Sequence, residues 1–248
     1  MTYGICALSV LPLREAAQHN SALVNEVLYG EFFEIITARK NWSLVHLQDK
    51  TEGWLENIQI TEISKEQYLS LKETPQKVST DLIEFVYQNN QILFPITIGS
   101  AVQHSNILGH TFEGTVSSGI AEKDKIREMA FMFLNSPYRK GGKTPFGVDA
   151  SGFVQTVYNL CGIALPNSAS AQASVGEVLS FIEESEPGDL AFFDNNEGEI
   201  IHVGIILENN YIIHAYGKVR IDRIDQSGIY NADERTHTHK LRLIKSIA

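Results

Sequence analysis

Two histidines in apolar segments of the second half of the chain are the first candidates for acid–base chemistry. His202 is followed by Val203 and Gly204, and His214 lies twelve positions later in a similar apolar run. If both runs are neighbouring strands, the two rings can face the same side of one sheet. One ring would then accept a proton while the other fixes its tautomer and orientation. Taken singly, each histidine is more typical of a hydrogen-bonded core residue.

A second group of polar residues marks the start of a predicted helix. Residues 147–155 read G-V-D-A-S-G-F-V-Q, so Asp149 is placed to cap the helix, and Gly162 to end it. The first turn of a helix carries unpaired N–H groups and a positive partial charge, which favour a thiolate. The first helical position is Ala150, however, and alanine has no nucleophilic, acidic or basic group.

These segments together resemble the NlpC/P60 family of cysteine peptidases. The family motif D-C-S-G-F-V-Q matches residues 149–155 with alanine in the place of cysteine, and H-V-G matches residues 202–204. The resemblance implies that Ala150 occupies the position of the nucleophile. It also implies that His202 is the base and that His214 orients it.

The same resemblance extends to the loop before the helix. Tyr138 matches a family tyrosine whose hydroxyl helps to hold the oxyanion, in a motif Y-x-W-G-G. Here the motif reads Y-R-K-G-G, with Lys140 in the place of the tryptophan. The motif therefore does not determine the shape of that wall of the site.

Short alternating strands separated by turn residues are predicted near the amino terminus. Apolar runs at 27–36 and 42–47 and the pair Gly53-Trp54 are typical of a small antiparallel barrel. The run Trp42 to Trp54 resembles the bacterial SH3-like module, in which a W-x-x-V strand meets a G-W strand. An unspecified five-stranded β domain is the alternative.

The predicted fold class is α+β: a papain-like NlpC/P60 domain preceded by one or two small SH3-like β-barrels. We expect a first barrel over residues 1–62, a linker plus a second SH3-like barrel over 63–119, and the catalytic domain over 120–248. In the last domain, helical spacing from Ala121 to Leu134 precedes strand-like runs at 189–194, 200–207 and 211–216.

Composition excludes several classes of function. A formal net charge of −10 argues against nucleic-acid binding, which needs a dense basic surface, and against an anionic membrane. The two cysteines and the absence of a leader-like amino terminus favour a cytoplasmic protein, and we expect a monomer. No cofactor or metal site is predicted, and His237-Thr238-His239 is interpreted as a solvated strand edge.

The domain order resembles bacterial γ-D-glutamyl-L-diamino-acid endopeptidases, which recycle cell-wall peptides. That resemblance implies murein peptides of the form L-Ala-γ-D-Glu-diamino acid as substrates, cut between D-glutamate and the diamino acid. Asp149 and Ser151 are then candidates for holding the free amine of L-alanine, and Glu52 is a candidate for adding a negative charge there.

Ala150 leaves two interpretations open. The chain is either an inactivated form of such a peptidase, with an engineered substitution that stops turnover, or a natural pseudoenzyme. As written, it is not expected to hydrolyse amides by the family mechanism. A module that binds muropeptides or a protein partner is the rival function, and another amide chemistry on the same fold is a third.

Overall fold

The computed structural model describes residues 2–247, which separate into two compact units. Unit 1 comprises Met1–Ile120 and Lys140–Pro145, and unit 2 comprises Ala121–Arg139 and Phe146–Ala248. Within the described residues, no helix has the length and apolar character needed to span a bilayer.

The first half of unit 1 is a seven-stranded antiparallel sheet with the order β3-β2-β6-β5-β4-β1-β7. Its strands are β1 (Thr2–Ile5), β2 (Val10–Arg14), β3 (Leu23–Leu28), β4 (Phe32–Ala38), β5 (Trp42–Leu47), β6 (Glu52–Glu56) and β7 (Thr61–Ile63). Burial alternates residue by residue along β5 and β6, as the sequence pattern predicts. The inward-facing side chains meet in one apolar core that includes Leu11, Val27, Phe33, Val45 and Leu55.

The second half of unit 1 begins with a helix and continues as two small sheets. These elements are α1 (Lys65–Glu73), β8 (Lys77–Ser79), β9 (Ile83–Gln88), β10 (Gln91–Thr97), β11 (Thr111–Phe112) and β12 (Val116–Ser118). Ser64 starts α1 with a capping box, in which its hydroxyl accepts from the Gln67 N–H. Strands β10, β9 and β11 form one sheet, and β12 pairs with β8. The second SH3-like barrel and the three domain boundaries stay predictions.

A short segment from the middle of the chain, which contains β13 (Lys143–Thr144), belongs to unit 1. The Lys143 backbone N–H donates to the Glu26 carboxylate at 2.8 Å, and the buried Lys143 ammonium donates to the Glu31 carboxylate at 2.8 Å. A buried ammonium needs such a partner because its desolvation is costly.

Unit 2 is a mixed domain in which helices come first and a sheet follows. Its elements are α2 (Asp124–Phe131), β14 (Gly147–Val148), α3 (Ala150–Leu160), α4 (Ala169–Gln172), β15 (Glu177–Leu179), β16 (Leu190–Asp194), β17 (Ile200–Leu207), β18 (Tyr211–Tyr216), β19 (Lys218–Asp225), β20 (Gly228–Asn231) and β21 (Thr236–Ser246). The sheet order is β15-β21-β16-β17-β18-β19-β20, with β20 also pairing with β21. Helix α3 packs against β17 and β18. This architecture confirms the predicted α+β class.

Each unit contains one buried free cysteine. Cys6 lies in the core of unit 1 and Cys161 at the end of α3 in unit 2. Burial raises the pKa of both thiols, that of Cys161 to about 11. Both are therefore protonated and unreactive at neutral pH.

The tight turn between β3 and β4 requires glycine at position 30. Gly30 has φ of +79°, and a Cβ there would lie 2.0 Å from the Ala101 carbonyl oxygen. Gly119 has a similar φ of +72° but nothing within 4 Å of a Cβ. Both substitutions by alanine strain the backbone by about 1–2 kcal/mol, and we expect Gly30→Ala to lower the free energy of unfolding by a further ~1–3 kcal/mol.

The measurement is urea unfolding followed by tryptophan fluorescence, because Trp42 and Trp54 are the two tryptophans of the chain and both lie in unit 1. Gly119→Ala is the matched control. Equal losses in the two variants would show that the contact with Ala101 does not constrain the turn.

Candidate active site

The amino terminus of α3 is built as the sequence predicts. Asp149 has extended backbone angles and its carboxylate accepts the Gly152 N–H at 2.8 Å, so it is the N-cap. The Ser151 hydroxyl donates to the same carboxylate oxygen at 3.2 Å. Ala150 is the first helical residue and its side chain is buried. A negative charge at this position would meet the unpaired N–H groups and the dipole of the first turn.

The two histidines of the sequence motif are neighbours on β17 and β18, which confirms the predicted geometry. Gly204 lies opposite His214 in the antiparallel register, so His202 is the diagonal neighbour of His214. His202 Nε2 and His214 Nδ1 are 2.9 Å apart, with the rings nearly perpendicular. Both side chains are buried.

Gly204 makes the position of His214 possible. A Cβ on Gly204 would lie 2.9 Å from the His214 Cβ and 2.7 Å from the Ile212 Cδ1. Contacts this short do not occur between real side chains, so a larger residue here would displace His214. The glycine of the H-V-G motif is therefore a packing requirement of the histidine pair.

A carboxylate that the sequence analysis missed completes the arrangement. Asp222 lies on β19, beside β18, and its Oδ2 is 3.0 Å from His214 Nε2. The same carboxylate is held by Arg220 through contacts of 2.7 Å from Nε and 2.9 Å from a terminal nitrogen. Arg220 in turn reaches Asp233, at 2.9 Å. Asp222 stands two positions after Arg220 in a polar strand, and this spacing alone does not distinguish a buried carboxylate from a surface one.

The hydrogen bonds that run from His202 through His214 to Asp222 fix the tautomers of both rings. Burial raises the pKa of Asp222, but hydrogen bonds from His214 and Arg220 outweigh it, and the net effect is a lowered pKa. The ionised carboxylate is acceptor-only, so His214 donates from Nε2 and accepts at Nδ1. His202 then donates from Nε2. Its Nδ1 carries the lone pair, which makes that atom the basic end of the relay His202–His214–Asp222.

Burial also keeps the two rings neutral. It lowers the pKa of His202 well below the usual histidine range, and the nearby His214 and His239 lower it further. Burial lowers the pKa of His214 as well, although the hydrogen bond to Asp222 partly opposes this. Near neutral pH the His202 lone pair is therefore available to accept a proton.

Comparisons with known proteins agree with this geometry. The model of the NlpC/P60 family matches residues 135–237, which include α3 and all three members of the relay. Residues 135–237 are an NlpC/P60 domain. The model of the bacterial dipeptidyl-peptidase SH3 domain matches residues 13–60, so the predicted SH3-like module is confirmed there.

Relatives of the chain carry peptidase names. It is 26% identical over 257 aligned positions to dipeptidyl-peptidase 6 of Lysinibacillus sphaericus, covering 88% of this chain and 90% of that protein. It is 37% identical over 99 residues to the γ-D-glutamyl-L-lysine dipeptidyl-peptidase of Bacillus subtilis, covering 39% of this chain and 32% of the relative. An NlpC/P60 family protein from Bacillus cereus shares the fold, with a TM-score of 0.77 at 17% identity over 98% of this chain and 99% of that one. In its two matched domains and in its fold, the chain is thus similar to proteins that are named as peptidases or NlpC/P60 proteins.

A third histidine lies against the relay of the NlpC/P60 domain, just beyond the matched residues. The His239 ring stacks on His202 with 4.1 Å between centroids and also meets the rings of His214, Phe193 and Tyr216. Burial lowers its pKa to about 4. For His239 the prediction of a solvated strand edge is therefore wrong.

A β-bulge explains why His239 and His237 differ. His237 pairs with Tyr230 and His239 with Ile229, so Thr238 is an extra residue in β21. The bulge breaks the regular alternation. His237 consequently remains exposed, with its Nε2 hydrogen-bonded to the Asp225 carboxylate at 3.0 Å, while His239 turns onto the relay.

The remaining predicted site residues are placed by the structure but their roles stay predictions. Tyr138 lies in the loop before α3, half-exposed, and its backbone N–H donates to the Gly217 carbonyl at 3.0 Å. Partial burial raises the pKa of its hydroxyl, and the Asp149 charge adds to this, so the hydroxyl is protonated and can donate. Glu52 is an exposed residue of β6 in unit 1.

The lowered histidine pKa values predict a loss of stability in mild acid. The unfolded chain binds protons on these rings below about pH 6.5, whereas the folded protein binds them only at lower pH. Stability is thus complete above that pH and falls as the pH is lowered toward about 4, the folded pKa of His239. His239 alone accounts for at most about 3 kcal/mol of this loss. Asp222 adds to the loss only at lower pH, since its folded pKa lies below its unfolded value.

The measurement is urea unfolding at a series of pH values, followed through amide NMR signals of β17 and β18. His239→Gln should flatten the dependence between about pH 6.5 and 4. An unchanged slope in that variant would mean that His239 titrates normally in the folded protein.

Proposed function

We propose that this fold hydrolyses the γ-D-Glu–diamino acid bond of short murein peptides with a free amino-terminal L-alanine, and that Ala150 makes the present chain inactive. The observation that carries the proposal is the buried relay His202–His214–Asp222, whose basic nitrogen, His202 Nδ1, is unprotonated near neutral pH. The SH3 domain match and the names of the two relatives support the substrate class.

In the active form a cysteine at position 150 would supply the nucleophile. His202 Nδ1 takes the thiol proton, and the thiolate at the helix amino terminus attacks the γ-carbonyl carbon of D-glutamate. The tetrahedral intermediate forms with its oxyanion near the Tyr138 hydroxyl. Collapse breaks the C–N bond as His202 returns the proton to the leaving amine, and water then hydrolyses the acyl-enzyme.

The amine of the substrate is assigned to the helix cap. The Asp149 carboxylate and the Ser151 hydroxyl suit an ammonium group, because a carboxylate forms charge-assisted hydrogen bonds with it and a hydroxyl oxygen can accept one as well. Glu52 is the proposed additional charge.

The proposed place of action is the cytoplasm, in recycling of wall fragments by a monomer. Two buried free thiols support a reducing compartment. The substrate partner is the murein peptide, with neither nucleic acid nor membrane involved.

The second candidate function is binding without hydrolysis, and Ala150 itself favours it. A chain that lacks the nucleophile but retains the buried relay and the helix cap could capture a muropeptide or a protein partner. Restoring the thiol separates the two functions.

Ala150→Cys is the deciding variant. The protein is incubated with L-Ala-γ-D-Glu-diaminopimelate, and release of the diamino acid is followed by mass spectrometry. We expect release with the thiol and none with Ala150, because only the thiolate can form the acyl-enzyme. Adding His202→Gln to Ala150→Cys should lower the rate by about 10²–10⁴.

Ala150→Ser is the matched control, since its hydroxyl is a poor nucleophile in a site suited to a thiolate. Binding of the peptide without release by Ala150→Cys would support the binding module instead. Neither binding nor release would overturn the substrate assignment.

A further inference from the structure

Three imidazoles from β17, β18 and β21 converge in unit 2. One ring nitrogen from each of His202, His214 and His239 lies within 4.8 Å of the other two. Two belong to the relay, whereas His239 has no part in the proposed peptide chemistry. We propose that the three rings form a binding site for a zinc ion or a similar divalent transition metal.

The donor set suits such an ion. Neutral imidazole is a preferred ligand of zinc, cobalt, nickel and copper, and three histidines with one open position can hold zinc. Zinc–nitrogen distances of about 2.0–2.1 Å place tetrahedral ligand atoms roughly 3.3 Å apart. His202 Nε2 and His214 Nδ1, at 2.9 Å, are already close to that separation.

The third metal–nitrogen bond requires a movement of the His239 ring. Its ligand nitrogen lies within 4.8 Å of the other two, so it must approach them by at most roughly 1.5 Å to reach tetrahedral spacing. The side chain is only partly buried and follows the bulge at Thr238, where the regular ladder is interrupted. A rotation of this ring is therefore less restricted than one of the fully enclosed His214.

Outer hydrogen bonds orient two of the three rings as in known metal sites. Asp222 accepts from His214 Nε2, which directs Nδ1 toward the other rings, and Arg220 holds the carboxylate. The Thr238 hydroxyl lies 2.8 Å from His239 Nδ1, which leaves Nε2 as the ligand atom. Histidines that bind zinc commonly donate their second N–H to a carboxylate or another oxygen in this way.

A bound metal and the proton relay exclude one another. The ion would take the place of the proton between His202 Nε2 and His214 Nδ1, and that proton would move to His202 Nδ1. His202 would then have no lone pair with which to accept a proton. In a thiol form of the protein, zinc is therefore expected to inhibit hydrolysis.

The binding test uses the tag-free Ala150 chain and does not depend on the proposed function. Zinc chloride is titrated by calorimetry, and cobalt chloride is used as a spectroscopic probe of coordination. We expect one ion per chain with micromolar affinity or better, and the visible absorption of tetrahedral cobalt. His239→Gln should weaken binding at least about tenfold.

His237→Gln is the matched control, because it removes an exposed histidine two positions away on the same strand. It should bind zinc as the parent chain does. Absence of zinc binding, or equal weakening in His237→Gln and His239→Gln, would overturn the proposal.

A second readout tests the inhibitory consequence. Zinc should inhibit peptide release by Ala150→Cys, and His239→Gln in that background should relieve the inhibition. If zinc leaves the activity unchanged, the metal does not block the proton relay, and that part of the proposal is refuted. The proposed peptidase function would still stand. An inactive Ala150→Cys protein that still binds zinc would refute the peptidase and leave the metal site.

Discussion

The buried bond between the His214 ring and the Asp222 carboxylate determines how the rest of the site is arranged. Because Asp222 is ionised and can only accept, the proton of His214 must be on Nε2, and each following hydrogen bond has its direction set in turn. The basic nitrogen is thus placed at the far end, on His202. Arg220 stabilises the carboxylate, which would otherwise bear the cost of burial without a cation.

Much of this arrangement could be predicted from the sequence, because several signals are local. Asp149 as a cap and the 3.6-residue spacing of apolar side chains specify α3 without reference to anything distant. Alternation and turn residues likewise specify β5 and β6 in unit 1. His202 and His214 were found because both lie in short apolar strands close together in the chain, so that antiparallel pairing is the natural outcome.

Asp222 and His239 were missed because their positions depend on features that a single sequence does not display. Asp222 reaches His214 only through the register of β19 on β18, and an aspartate in a polar strand gives no sign of burial. His239 reaches the relay through a bulge at Thr238, and regular alternation would have placed it on the same face as His237. A shift of one residue in pairing thus separates a surface histidine from a site histidine.

The two buried thiols have a consequence for chemical labelling. Cys6 and Cys161 are enclosed and their pKa values are raised, so neither presents a thiolate to reagents in solution. A cysteine placed at the start of α3 would instead have a lowered pKa and present a thiolate, since the helix terminus favours ionisation. An alkylating probe would therefore modify that one position selectively, without any need to remove the native cysteines.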